Sequence, residues 1–129
     1  MQPFTELRVW QRAHRLALAV YRATESFPSG ERFGLAAQLR RSAGAVGANI
    51  AEGSKARHPA DYARILNVAE KEAAETENHL MLARDLGLLR PAEAKDLLGQ
   101  VDELGRMLNV LRSRVEAAAR SPRPPTPNP

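Results

Sequence analysis

Between Gln38 and Gly53 the chain reads QLRRSAGAVGANIAEG, a helical apolar rhythm that keeps two glycines, Gly44 and Gly47, in its interior. Each interior glycine costs about 1 kcal/mol relative to alanine, so a helix that retains both gains close backbone approach to something else. Winding the segment at about 100° per residue separates it into three sectors. Leu35, Leu39, Ala43, Val46 and Ile50 form an ordinary apolar stripe. Gly44, Gly47, Ala48 and Ala51 form a second stripe, nearly free of side chains, on the adjacent face. Gln38, Arg41, Ser42, Asn49 and Glu52 make a polar sector. Two non-polar faces on one helix predict two packing partners: the chain's own core, and a second surface pressed against the small residues. The pattern demands packed helices and points to an interaction protein before an enzyme.

The rest of the chain agrees, with four helical segments and no strand alternation. The first is expected over about Glu6 to Glu25, with Thr5 as N-cap and Phe4 and Val9 as a hydrophobic staple. Its apolar arc holds Val9, Trp10, Ala13, Leu16, Ala17, Val20, Tyr21 and Thr24. Phe27-Pro28-Ser29-Gly30 breaks the chain, and Ser29 suits the cap of a second helix over about Glu31 to Glu52, stopped by Gly53. Pro59 fits the first turn of a third helix ending near Leu86, with Gly87 as its stop. Its core positions are Tyr62, Ile65, Leu66, Ala69, Ala73, Thr76, Leu80 and Ala83. Pro91 opens the fourth, where Ala94, Leu97, Leu98, Val101, Leu104, Leu108, Leu111 and Val115 recur at 3–4 spacing. The two long helices each reach about 40 Å, and short connections make neighbours antiparallel. The expected fold is an all-α, up-down four-helix bundle over residues 1–120. SPRPPTPNP, from Ser121 to Pro129, has the composition of a disordered proline-rich tail.

Composition removes several functional classes. There are no cysteines among the 129 residues, which excludes disulfides, thiolate metal sites and cysteine nucleophiles. No apolar run has the length of a membrane span, and MQPFTELRVW carries no signal-peptide pattern, so the expected location is cytoplasmic, away from membranes. Charge is uneven: residues 1–57 carry nine Lys/Arg against four Asp/Glu, and residues 58–129 carry ten against eleven. Sixteen of the nineteen basic residues are arginine, whose forked guanidinium suits phosphate and carboxylate.

On the first helix Arg8, Arg12, Arg15 and Arg22 share an arc of roughly 80° opposite the apolar face, and no acid of that helix enters it. The stripe runs about 20 Å, comparable to several phosphate spacings along a strand. Arg40, Arg41, Lys55 and Arg57 are candidates to extend it. Asn49 and Glu52 invite a catalytic reading, but polar groups in bundles more often cap or pair across helices. Glu52 is therefore expected to pair with another helix, and Asn49 to bond across the bundle. Glu70, Glu72, Glu75 and Glu77 read as a solvated face or a subunit contact. Glu75 and His79 stand four apart, and no second helix supplies the matching Glu-x-x-His of a di-metal bundle. No phosphate-binding loop, nucleophile elbow or His-Glu-x-x-His is present. No catalytic residue, metal or cofactor is therefore expected.

Phe4-Thr5-Glu6-Leu7-Arg8-Val9-Trp10-Gln11, Phe27-Pro28, Gly34-Leu35, Gln38-Leu39-Arg40-Arg41-Ser42 and Asn49-Ile50-Ala51-Glu52-Gly53 occur in that order. Together they resemble the four-helix-bundle family named for proteins encoded in intervening sequences of bacterial 23S rRNA genes. That family includes the accessory variability determinant of diversity-generating retroelements. The likeness spans roughly residues 4–115. Where the family ordinarily has Ser-Ile-Pro-Ala, this chain has Ala45-Val46-Gly47-Ala48. The resemblance implies a homopentameric barrel of four-helix protomers and a nucleic-acid-binding accessory role, with contact to a reverse transcriptase in the retroelement branch. The resulting expectation is a non-enzymatic, homo-oligomeric protein that presents arginine-lined surface to RNA or DNA by phosphate neutralisation. The scarcity of aromatics, with Trp10 and Tyr21 turned to the core, argues against base reading. The alternative is a protein-interaction module that docks a reverse transcriptase or ribosomal component.

Overall fold

The computed structural model describes residues 3–31 and 33–120. Four helices account for most of them: α1 (Arg8–Thr24), α2 (Leu35–Gly53), α3 (Pro59–Asp85) and α4 (Pro91–Arg120). Two short 3-10 turns, Phe4–Glu6 and Ser29–Glu31, precede α1 and α2. The expected tail from Ser121 lies outside the described residues. α1 packs on α2 and α4, α3 packs on the same two, and the diagonal pairs have no close backbone approach. That neighbour order is the up-down bundle the short connections require. α1 and α3 therefore begin, and α2 and α4 end, at the same end of the molecule.

The core is built where the periodicity places it. Leu16, Leu39, Ile50, Leu66, Leu80, Leu104 and Leu108 are shielded almost completely from water. Ser42, which the helical wheel assigns to the polar sector, is instead fully buried. Its hydroxyl lies 2.8 Å from that of Thr76 on α3, and each O–H also has a carbonyl of its own helix within reach, Leu39 O and Glu72 O. Tyr21, expected in the core, is about half exposed and lies flat beneath the Arg40 guanidinium, 4.9 Å from its ring centre. Trp10 is half-buried, edge-on to Phe4 at 5.3 Å and stacked on His14 at 4.7 Å.

The starts of α1 and α2 differ from the sequence expectation, whereas α4, like α3, opens at its expected proline. α1 begins at Arg8, and its N-cap position is Leu7, with no side-chain cap. The turn at Phe4–Glu6 sets Phe4 edge-on to Trp10, and Thr5 offers its carbonyl to Gln11 Nε2 at 3.0 Å. α2 begins four residues late, because Ser29 to Glu31 form their own turn and the Glu31 carboxylate accepts from Leu35 N at 3.3 Å. α3 starts at Pro59 as expected. It ends in a Schellman arrangement, with Leu88 N donating to Ala83 O and Gly87 N to Arg84 O. Gly87 sits there at φ 75°, where only glycine is unstrained. No helix among the described residues is long and apolar enough to cross a membrane.

Candidate nucleic-acid interface

Arg8, Arg15 and Arg22 stand exposed on α1 and form no ion pair with a described residue. Arg12 differs: its Nη1 lies 3.2 Å from Glu103 Oε2 on α4. The stripe is free of acids on its own helix, but the neighbouring helix supplies one. Both partners are partly exposed, so the pair contributes little to stability, but it occupies the Arg12 guanidinium.

Arg40 and Arg41 do not extend the stripe. Arg40 closes the carboxyl end of α1: Nε donates to Thr24 Oγ1 at 2.7 Å and Nη2 to Tyr21 O at 3.3 Å. A cation is favourable there because the last carbonyls carry the negative end of the helix dipole. Arg41 bridges to α3, with Nη1 3.2 Å from Glu72 Oε2 and Nη2 against Glu75, while Nε donates to Gln38. Glu70 is occupied too: it and Glu116 hold Arg112, whose guanidinium pKa those bonds raise, Glu70 first. The acidic run on α3 is thus largely a set of clamps within the chain, to α2 on one side and α4 on the other.

Lys55 and Arg57, in the connection between α2 and α3, are exposed and form no ion pair with a described residue. The topology brings them to the end of the bundle where α1 starts, together with Arg8. Arg114, near the end of α4, joins them and also lacks an ion-pair partner among the described residues. Two adjoining clefts share Arg114. One, of about 310 Å³, is lined by Arg57, His58, Tyr62, Arg114 and apolar side chains. The other, of about 420 Å³, is lined by Arg8, Arg106 and Arg114 around Leu7, Val9, Met107, Val110 and Leu111. No carboxylate of the described residues lines either cleft. Arg114 escapes a sequence reading because it sits in the half whose charges nearly cancel. Only its position at the shared end, implied by an up-down bundle, could have singled it out.

The Asn49–Gly53 block is structural, although not by the contacts the sequence suggests. Asn49 Nδ2 donates to Ala45 O of its own helix at 2.8 Å and does not cross the bundle. Glu52 is exposed and pairs with no described residue of another helix. Gly53 is the close-approach residue: a Cβ there would lie 3.0 Å from Tyr62 Cδ1 and 3.3 Å from Ile65 Cγ2. Burial pushes the Tyr62 hydroxyl pKa up.

The small stripe divides. A Cβ at Gly47 would sit 3.5 Å from Trp10 Nε1 and 3.8 Å from Ala13 Cβ, so the surface pressed against it is the chain's own α1. Gly44 and Ala48 are exposed, a Cβ at Gly44 would meet nothing within 4 Å, and Ala51 is half-buried. His79 Nε2 is 4.0 Å from Glu75 Oε2. No group of three or more His, Cys, Asp or Glu among the described residues is placed to hold a metal ion.

A protein with unknown function from the S23 ribosomal protein family of Bacteroides thetaiotaomicron VPI-5482, known from its crystal structure, has the same fold. It is 26% identical, with a TM-score of 0.73, and the match covers 81% of this chain and 97% of that one. No curated protein sequence matches the chain. Residues 5–110 match the family model described as 23S rRNA-intervening sequence protein, and the chain belongs to that family.

Proposed function

We propose that this protein is a non-enzymatic accessory protein that binds RNA or DNA through arginines gathered at one end of its bundle and acts as a homo-oligomer. The observation that carries this reading is the cluster of Arg8, Lys55, Arg57 and Arg114. These are cations from three different parts of the chain, brought to one end, and none of them is in an ion pair with a described residue. Converging guanidiniums repel unless an anion intervenes, and a polyphosphate backbone supplies anions at a regular spacing. The family's name ties its members to intervening sequences of 23S rRNA, which favours RNA as the ligand. Arg15 and Arg22 extend the cationic surface along α1, while Arg12 is paired with Glu103, and Arg40 and Arg41 serve the fold.

Oligomerisation would repeat this surface and let weak contacts add along one strand. The family resemblance supplies a pentamer as the number, so light scattering should report about five times the 14.2 kDa protomer. Half-exposed Leu82 and Leu86 on and just after α3 offer apolar area for such contacts. The binding test is fluorescence anisotropy with a labelled RNA across a salt series. Affinity should fall steeply with salt, and Arg8→Gln, Arg57→Gln and Arg114→Gln together should flatten the log–log slope by nearly one unit per contact. An unchanged slope and affinity would remove this end of the bundle as the interface.

A further inference from the structure

Most of the cationic surface is of a kind that any phosphate backbone satisfies, but the groove between the start of α1 and the second half of α4 is different. Its floor is apolar, made by Leu7, Met107, Val110 and Leu111, and Val110 is 50% exposed there. Its rim is cationic: Arg8 and Arg114 are unpaired among the described residues, whereas Arg106 bonds to Asp102. By contrast, the cleft beside Arg12 and Arg15 also holds Asp96 and Glu103, and the groove between α3 and α4 holds Glu70, Glu77 and Asp102.

A duplex keeps its bases stacked and has only phosphates and sugars to set on such a surface, so an apolar floor gains nothing from it. A single strand can turn a base out, lay its flat face on aliphatic side chains or a guanidinium plane, and leave the flanking phosphates for the rim. At about 420 Å³ the groove lies within the usual size range of small-ligand sites. We infer that this groove holds an unstacked nucleobase of a single-stranded segment, with the adjoining phosphates on Arg8 and Arg114. The neighbouring cleft at Arg57 carries the strand onward, since Arg114 belongs to both. This inference rests on the nucleic-acid reading above and narrows its ligand to single strands.

The experiment compares three labelled probes at one salt concentration. These are an unstructured RNA of about 20 nucleotides, the blunt duplex of the same sequence, and the same strand with abasic sites at its central positions. The single strand should bind roughly tenfold more tightly than either of the others, the effect of one well-held base. Val110→Ser, at an exposed position where folding is not at stake, should lose that preference while leaving duplex binding unchanged. Arg8→Gln with Arg114→Gln should weaken all three probes. Equal binding of the single strand, duplex and abasic strand, each with steep salt dependence, would overturn the inference and leave the nucleic-acid reading standing. Failure of every probe to bind would overturn both. A Val110→Ser protein that changes its oligomeric size but keeps its strand preference would make the groove a subunit contact and overturn the inference alone.

Discussion

The hydroxyl oxygens of Ser42 and Thr76 stand 2.8 Å apart in the seam between α2 and α3, with neither residue exposed to solvent. Directly beside them, Arg41 reaches Glu72 and Glu75 across the same seam. A buried neutral hydrogen bond and a half-exposed ionic clamp thus fix one helix register from inside and outside. An isolated buried hydroxyl is costly, but a matched pair is not, because each satisfies the other.

Ser42→Ala should therefore lower unfolding free energy by about 1 kcal/mol, and Thr76→Val by about 1–2 kcal/mol. The double variant should cost less than the sum of the two, because neither hydroxyl is then left without its partner. Urea unfolding of the four proteins measures the coupling directly. Strict additivity would mean that the two hydroxyls are held independently by Leu39 O and Glu72 O.

The two glycines Gly53 and Gly44 should respond oppositely to the same substitution. Gly53→Ala places a methyl 3.0 Å from the Tyr62 ring and should destabilise by about 1–3 kcal/mol through overpacking of the α2–α3 contact. Gly44→Ala meets open space in mid-helix and should stabilise by up to about 1 kcal/mol. Thermal melts followed by circular dichroism distinguish them. Gly47→Leu should in addition change the fluorescence of Trp10, the lone tryptophan, since the new side chain enters its contact. An unaltered Trp10 spectrum would show that the ring does not rest on α2 in solution.

The contrast between Gly44 and Gly53 also shows what a sequence can and cannot disclose. Periodicity locates the stripes Leu35–Ile50 and Ala94–Val115 because burying them dominates the energetics, and the four helices follow. Proline at Pro59 and Pro91 and glycine at Gly87 fix helix boundaries by local geometry alone. The stripe of small residues does not say which partner fills it. Gly47 serves α1, Gly44 serves nothing in the described chain, and Gly53, at the end of the helix, makes the tightest approach. Helix starts fail where two capping solutions compete, as when Glu31 rather than Ser29 closes α2. The arginines divide for a similar reason. A helical wheel gives the direction of Arg12 and Arg41 but not the carboxylates of Glu103 and Glu72 that neighbouring helices bring to them.

At the carboxyl end of α3 the Arg84 fork grips Asp85, with Nε 2.8 Å from Oδ1 and Nη2 3.4 Å from Oδ2. These hydrogen bonds hold the Asp85 carboxyl below the usual aspartate range. The sign follows from linkage: a lowered folded-state pKa favours the folded protein above the ordinary aspartate value, and that contribution fades as pH falls through the lowered one. Carbon-detected NMR titration should place the Asp85 midpoint below that of an unpaired aspartate. Arg84→Gln should return it toward normal. The exposure of both side chains predicts little change in melting temperature from the same substitution.

Arginines of this chain should separate experimentally into those that hold the fold and those that hold a ligand. Arg40 hydrogen-bonds the end of α1, and Arg41 pairs with two glutamates of α3. Arg40→Gln with Arg41→Gln should therefore lower stability by about 1–2 kcal/mol, the combined scale of a helix C-terminal cation and a partly exposed ion pair. In a salt series with labelled RNA, that double variant should retain the wild-type slope, because neither guanidinium is free to release counterions from phosphate. Arg57→Gln with Arg114→Gln should do the reverse. Both side chains are exposed and unpaired among the described residues, so unfolding should be unchanged while the slope falls by nearly two units. Measuring urea midpoints and salt slopes on the same two preparations sets the groups against each other. If the Arg40/Arg41 variant loses binding at unchanged stability, phosphates reach the α2 face and the interface extends away from the end where α1 begins.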